Sequence, residues 1–127
     1  MRFTQDARSG AHVLRGYSPG ELWIDDQRFA DAVILTATEL LVESGLRDAA
    51  DLRDASIAAA LATRALALEP EVVLLGTGLR QCFPAPGFGA RFLRAGVGFE
   101  VMDTGAACRT FNVLLADQRR VLAVLIP

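Results

Sequence analysis

Two glycines after an apolar run are similar to the first part of a motif that binds phosphates. Gly76 and Gly78 follow the apolar residues 72–75, and glycines after a strand begin the dinucleotide fingerprint, in which the backbone approaches a pyrophosphate. The fingerprint is not completed, because Gln81 occupies the third glycine position and residues 82–84, Cys-Phe-Pro, interrupt the expected helix. No Lys-Ser/Thr pair of a P-loop follows either. A tight turn at a strand end is the simpler explanation of both glycines.

Residues 103–112 carry the densest polar chemistry. Asp103 is placed to cap a helix by accepting hydrogen bonds from backbone amides near Gly105. A carboxylate at that helix end makes anion binding there less favourable. Arg109 either reaches a ligand carboxylate or phosphate, or forms a structural ion pair with Glu100 or Asp103. The sequence leaves both roles open.

The loops after residues 72–75 and 97–102 should lie together, because the carboxyl ends of parallel strands meet at one edge of a sheet. We expect any small-molecule site there. Its candidate residues are Gly76, Thr77, Gly78, Gln81, Asp103, Thr104, Gly105, Arg109 and Asn112. Asp103 or Glu100 is a possible base, but no catalytic constellation is complete, so we assign no catalytic residue.

The remaining reactive side chains favour structural roles. Cys108 lies beside an apolar stripe with the spacing of a buried helix face, formed by Ala107, Phe111 and Leu114. We predict that Cys108 is a small buried hydrophobe, and Cys82, after the neighbouring strand, is a possible redox partner. The single histidine, His12, is predicted at the surface or at an edge, and one imidazole excludes sites that need several. We expect no metal and no cofactor.

Residues 84–89 contain two prolines, two glycines and an apolar tip between Phe83 and Phe92. One interpretation is a loop packed as a lid over the end of the sheet. The other is an aromatic surface for a protein partner, because exposed aromatic residues with few charges mark interfaces. The candidate surface residues are Phe83, Pro84 and Phe88.

A predicted βαβαβ unit in the C-terminal half positions these candidate residues. Its strands are residues 72–75, 97–102 and 121–126, and helices are predicted at residues 89–95 and 104–117. The first strand is continuously apolar, which is typical of a parallel strand covered on both faces. The two helices lie on one face or on opposite faces depending on the strand order, which the sequence does not decide.

The N-terminal part is predicted to be antiparallel, with strands at residues 12–17, 21–24 and 32–36 and a polar turn at residues 25–29. Residues 38–51 fit either a strand or the start of a helix. A further helix is predicted from Asp54 or Ser56 up to Pro70.

The 127 residues describe one domain, residues 11–127, preceded by a flexible or edge segment at residues 1–10. A net charge of −2 gives no general reason to bind nucleic acid.

Without a signal segment or an apolar run near 18 residues, we expect a cytoplasmic protein that does not insert into membranes. All 13 cations are arginine, which indicates a GC-rich bacterial genome. We expect a monomer or weak homodimer.

Several motifs together resemble a small α/β family of unknown function. They are the run 74–78, Gln81, Phe83-Pro84, and residues 100–104 and 106–112. Eukaryotic relatives of that family include mitochondrial respiratory complex I assembly factor 3 and an adipogenesis-associated protein. The resemblance implies a three-layer α/β domain with a mixed central sheet and antiparallel N-terminal hairpins, and it implies no established enzymatic activity.

These observations favour an interaction or assembly module without enzymatic activity, similar to that assembly factor, with an unidentified protein partner. The alternative is a protein that binds a small anion or nucleotide, or an enzyme, using the Gly76, Asp103 and Arg109 end of the sheet.

Overall fold

The computed structural model describes residues 11–127, so the segment predicted at residues 1–10 lies outside the described part. Its strands are β1 (Leu14–Ser18), β2 (Glu21–Ile24), β3 (Gln27–Phe29), β4 (Ala32–Leu35), β5 (Leu40–Glu43), β6 (Val72–Thr77), β7 (Gly98–Met102) and β8 (Val121–Ile126). Its helices are α1 (Ala55–Ala67), α2 (Pro86–Arg94) and α3 (Thr104–Ala116), and a short 3₁₀ helix spans Ala49–Arg53.

The first three strands form a small antiparallel sheet in the order β1-β2-β3. The polar turn predicted at residues 25–29 is wrong for residues 27–29, which form β3. Two cross-strand contacts explain the extra strand: Phe29 pairs with Leu22, and the Arg28 guanidinium lies 4.8 Å from the centre of the Trp23 ring.

Asp25 fixes the turn between β2 and β3 to the start of β1. Its carboxylate accepts a hydrogen bond of 2.8 Å from the Val13 amide and lies 2.7 Å from Nδ1 of His12. Burial raises the pKa of Asp25, but the hydrogen bonds from His12 and Val13 outweigh it, so the pKa is lowered overall. His12 lies just before β1, is partly buried and has Asp25 as its partner.

The central sheet has the order β5-β4-β8-β6-β7. β6 is parallel to β7 and β8, whereas β4 is antiparallel to β5 and β8. The predicted mixed sheet and βαβαβ unit are confirmed, and the uncertain residues 38–51 contain a strand, β5. Because β6 lies between β7 and β8, the strand order reverses and the two connecting helices cover opposite faces of the sheet.

Two apolar cores, one on each face of the sheet, result from this order. On one face, α1 and α2 bury Leu61, Phe88 and Phe92 against β6 and β8. On the other face, α3 and the small sheet bury Phe111 and Leu22. β8 is buried along its whole length, because its alternating side chains enter both cores, and this explains its continuous apolar sequence.

Helix α2 begins earlier than predicted. Residues 84–89 were expected as a loop and residues 89–95 as a helix, but the helix starts at Pro86. Proline is tolerated in the first helical turn, where its missing N–H has no partner to lose. Phe88 consequently points into the core. The centre of its ring lies 5.1 Å from the centre of the Phe92 ring and 5.5 Å from that of Phe99.

Gly89 lets α2 lie close to this aromatic cluster. A Cβ atom at Gly89 would lie 2.8 Å from the Phe99 ring. We expect Gly89→Ala to lower the free energy of unfolding by about 1–3 kcal/mol, because overpacking outweighs the better helix propensity of alanine. Urea denaturation measures the change. Gly87→Ala is the matched control, because no atom lies within 4 Å of the added Cβ, and it should be neutral or stabilising. Equal stabilisation by both substitutions would contradict the prediction.

Candidate functional site

The loops after β6 and β7 meet at one end of the sheet, as predicted. Gly76 lies where the first turn of α3 crosses β6, and a Cβ there would be 3.0 Å from Cα of Thr104. Gly78 has a φ of +93° and turns the chain after β6. The turn interpretation is confirmed for Gly78, whereas Gly76 allows a helix to touch a strand.

Thr104 closes this end of the sheet. Its hydroxyl accepts a hydrogen bond of 2.7 Å from the Gly78 amide and donates one of 2.5 Å to the Ile126 carbonyl. The Thr104 amide donates in return to the Gly78 carbonyl at 2.9 Å. Thr104 is completely buried. We call Gly78, Thr104 and Ile126 the strand-end clamp, because they join the ends of β6 and β8 to the start of α3.

The loop of residues 78–85 is fixed from inside the protein. The Thr77 hydroxyl accepts a hydrogen bond of 3.0 Å from the Cys82 amide and lies 2.5 Å from the Arg80 carbonyl. The Gln81 side-chain amide donates to the Val101 carbonyl of β7 at 2.9 Å. These contacts hold residues 80–82, the middle of the loop, against the sheet.

Two apolar side chains of the same loop face outwards. Leu79 is 70% exposed and Phe83 is 64% exposed, and we call this pair the apolar loop surface. The predicted partner surface is therefore corrected: Phe83 is exposed, Pro84 is partly buried, and Phe88 is buried and does not belong to it. Leu79 was missed, because an isolated leucine in a turn has no signal that distinguishes exposure from burial.

Asp103 at the N-cap of α3, and Arg109 and Asn112 farther along the helix, are the remaining candidate residues. Asp103 accepts a hydrogen bond of 2.9 Å from the Ala106 amide, as expected of a cap. Among residues 11–127, Arg109 forms no ion pair with Glu100, Asp103 or any other carboxylate, and Nη1 lies 3.5 Å from the position of a Cβ on Gly105. Asn112 lies farther along the helix and donates to the Leu14 carbonyl at 3.2 Å, which ties α3 to β1.

Tyr17 packs beside this turn and was not identified from the sequence. Its ring is 3.8 Å from the position of a Cβ on Gly105. Its hydroxyl is buried and has no hydrogen-bond partner within the described part of the chain. Burial raises the pKa of Tyr17, and the neighbouring Cys108 and Asp103 raise it further, so the phenol is neutral at physiological pH.

The two cysteines lie on opposite faces of the sheet, because Cys82 packs against the α1/α2 core and Cys108 belongs to the α3 core. Both are free thiols, so the redox pair that the sequence left open is not formed. Burial raises the pKa of Cys108 to about 11, so its thiol is protonated at neutral pH and a poor nucleophile.

In residues 11–127, no three His, Cys, Asp or Glu side chains are arranged to hold a metal ion.

The fold is thus a three-layer α/β domain whose strand ends are joined by a buried threonine. Residues 14–126 match the family described as "Protein of unknown function (DUF498/DUF598)". The chain belongs to this family, which confirms the resemblance seen in its motifs.

Two relatives with other names are similar to this chain, one over its whole length and one over about half of it. The chain is 27% identical over 128 residues to the "13 kDa major membrane protein" of Francisella tularensis, covering 99% of this chain and 100% of that protein. It is 43% identical over 58 residues to "NADH dehydrogenase [ubiquinone] 1 alpha subcomplex assembly factor 3" of Xenopus tropicalis, covering 45% of this chain and 31% of that protein. None of the helices in residues 11–127 combines the length and apolar character needed to cross a membrane.

Solved structures share the fold over the whole domain. An NMR structure of a Xanthomonas campestris protein superposes with a TM-score of 0.79 at 33% identity, covering 99% of this chain and 92% of that one. A Bordetella pertussis protein described as an Mth938-like domain has a TM-score of 0.79 at 28% identity, covering 100% and 92%.

Proposed function

We propose that this protein is a cytoplasmic interaction module without enzymatic activity, which binds a partner protein through the apolar loop surface during assembly of a larger complex. The observation that carries the proposal is the exposure of Leu79 and Phe83 on a loop whose backbone is held by internal hydrogen bonds. Exposed apolar side chains on a fixed backbone lose little conformational freedom on binding, so more of their burial energy is available for affinity.

The strand-end clamp favours binding of a partner protein at the surface over binding of a ligand between the strand ends at Thr104. In α/β proteins, ligands usually bind at the carboxyl ends of strands, where the strand order reverses. Here the Thr104 hydroxyl occupies that position and bonds both Gly78 and Ile126. The Thr104 hydroxyl, the Gly78 amide and the Ile126 carbonyl therefore already have partners inside the protein.

Similarity to an assembly factor supports the same proposal. The Xenopus tropicalis relative is named for its role in assembly of an NADH dehydrogenase subcomplex, and this chain covers 31% of it. We extend from that name only the class of activity, binding to a polypeptide that is not yet part of its final complex. The partner in this case presents an apolar segment that covers Leu79 and Phe83.

The proposal is tested by affinity capture with the purified domain and with a Phe83→Ala variant. We expect wild-type protein to capture a reproducible partner and Phe83→Ala to bind it about tenfold more weakly, as for an aromatic hot spot. The stability of Phe83→Ala should change by less than about 0.5 kcal/mol, because Phe83 is exposed.

Val113→Ala is the matched control, because Val113 is 67% exposed but belongs to α3, on the opposite face of the sheet. It should bind like the wild type. Absence of any reproducible partner, or equal binding by Phe83→Ala, would overturn the proposal.

The cytoplasmic part of the proposal is tested separately by cell fractionation. Two free thiols suit a reducing compartment, whereas the name of the Francisella tularensis relative points to a membrane. We expect the protein in the soluble fraction after lysis. Retention in membranes after a high-salt wash would refute the cytoplasmic location but leave the apolar loop surface to be judged by the capture experiment.

A further inference from the structure

A cavity of about 300 Å³ lies beside the strand-end clamp, at the carboxyl ends of β6 and β8. Its walls are the turn between β1 and β2, residues 47–49 at the start of the 3₁₀ helix, the loop after β6, and residues 126–127. The volume is at the lower end of the range for small-molecule pockets. Two residues of the strand-end clamp, Gly78 and Ile126, line this cavity together with Leu79, whereas Thr104 and Phe83 do not.

Two arginines line this cavity from different segments of the chain. Arg47 precedes the 3₁₀ helix, and Arg80 belongs to the loop after β6. Neither guanidinium lies within 4.0 Å of a carboxylate oxygen in residues 11–127. Both are exposed, so they are free to turn towards a ligand.

The neighbouring carboxylates are bound to the backbone. Asp48 accepts a hydrogen bond of 2.8 Å from the Ala50 amide. Asp51 accepts bonds from the amides of Arg47 at 2.9 Å and Asp48 at 3.1 Å. These two carboxylates therefore form the capping box of the 3₁₀ helix and do not neutralise the arginines by direct contact.

The other polar groups of the lining include both neutral and acidic groups. Tyr17 is neutral at physiological pH, and in the described part of the chain the acidic groups of the lining are the Asp48 side chain and the carboxylate of Pro127. The backbone amides of Leu79 and Arg80 donate to no acceptor within residues 11–127. Successive free amides in a turn are a common element of anion sites.

We propose that this cavity, the Arg47–Arg80 pocket, binds a small ligand through a phosphate or carboxylate group. Arginine presents several donors in a planar fork that fits both groups. The site agrees in ligand charge with the anion site expected from the sequence but uses Arg47 and Arg80 in place of Arg109. The pocket shares Leu79 with the apolar loop surface but does not include Phe83, so Phe83→Ala tests the two proposals separately.

The test is a titration of ¹⁵N-labelled protein, followed by amide chemical shifts, with inorganic phosphate and separately with succinate. Sodium chloride at matched ionic strength is the reference. We expect saturable shifts at residues 47–49 and 78–82 with phosphate, succinate or both. Saturation by phosphate alone identifies a phosphate ligand, and saturation by succinate alone identifies a carboxylate ligand.

Variants locate the site. Arg47→Gln and Arg80→Gln should each weaken binding by about tenfold, because each removes a charge-assisted hydrogen bond. Arg94 is an exposed arginine of α2 outside the cavity lining, so Arg94→Gln should bind the anion like the wild type. Phe83→Ala should also retain anion binding. Thermal denaturation checks that all variants are folded. Shifts that merely follow ionic strength, or that persist unchanged in Arg80→Gln, would overturn the proposal.

Discussion

Thr104→Val is expected to lower the free energy of unfolding by about 2–5 kcal/mol. Valine has nearly the same shape as threonine, so packing against Gly76 is retained while the hydroxyl is lost. The Gly78 amide and the Ile126 carbonyl then remain buried without their partner, and each such group costs about 1–3 kcal/mol. Urea denaturation measures the effect, which is a large part of the roughly 5–15 kcal/mol that stabilises a typical domain.

Thr104→Ser is the matched control. Serine keeps the hydroxyl and loses only a methyl group, which costs about 1 kcal/mol. Amide hydrogen exchange at Gly78 gives a local readout, since exchange should accelerate in the valine variant more than in the serine variant. If valine and serine variants were equally stable, the strand-end clamp would contribute nothing through its hydrogen bonds.

Gly76→Ala is expected to have the second large effect. An added Cβ would meet three atoms of α3: Cα and Oγ1 of Thr104 at 3.0 Å and Cβ of Ala107 at 3.1 Å. Because two of these atoms are fixed by the helix backbone, the whole first turn of α3 must move. We expect a loss of about 1–3 kcal/mol from overpacking, larger for Gly76→Val.

Gly98→Ala provides the comparison in the neighbouring strand. At Gly98 the nearest atom to an added Cβ is 3.5 Å away, which is an ordinary contact, so the substitution should be neutral or slightly stabilising. Chemical-shift changes in Gly76→Ala should spread along α3 from Thr104. A Gly76→Ala variant as stable as Gly98→Ala would show that α3 does not need its close contact with β6.

The elements with a strong local pattern were predictable. β6 and β8 have continuous apolar sequences because both faces of each strand are covered, and Asp103 precedes α3 as caps do. The limits of α2 were not predictable in the same way, because Pro86 and Gly87 normally mark loops. Their presence in a helix depends on the contact of Phe88 with Phe92 and Phe99, which only the folded chain brings together.

The candidate site was predictable in position but not in its internal bonds. The sequence placed Gly76, Gly78 and Thr104 at one end of the sheet, because parallel strands end there. It did not show that the Thr104 hydroxyl bonds to Ile126, since that pairing depends on the position of β8 beside β6. The roles of Arg47 and Leu79 also depend on segments that are distant in sequence and adjacent in space.

The position of β8 has a consequence for how the chain folds. β8 is the last strand in sequence order, yet it joins β4 to β6, pairing Val33 with Leu125. Such long-range pairing slows folding, typically to milliseconds or seconds. Until β8 is inserted, the β4–β5 hairpin and β6 have no common neighbour, and both leave apolar edges open. Unpaired strand edges and exposed apolar surface favour aggregation, so the partly folded chain is expected to be most prone to it before β8 pairs with β4 and β6.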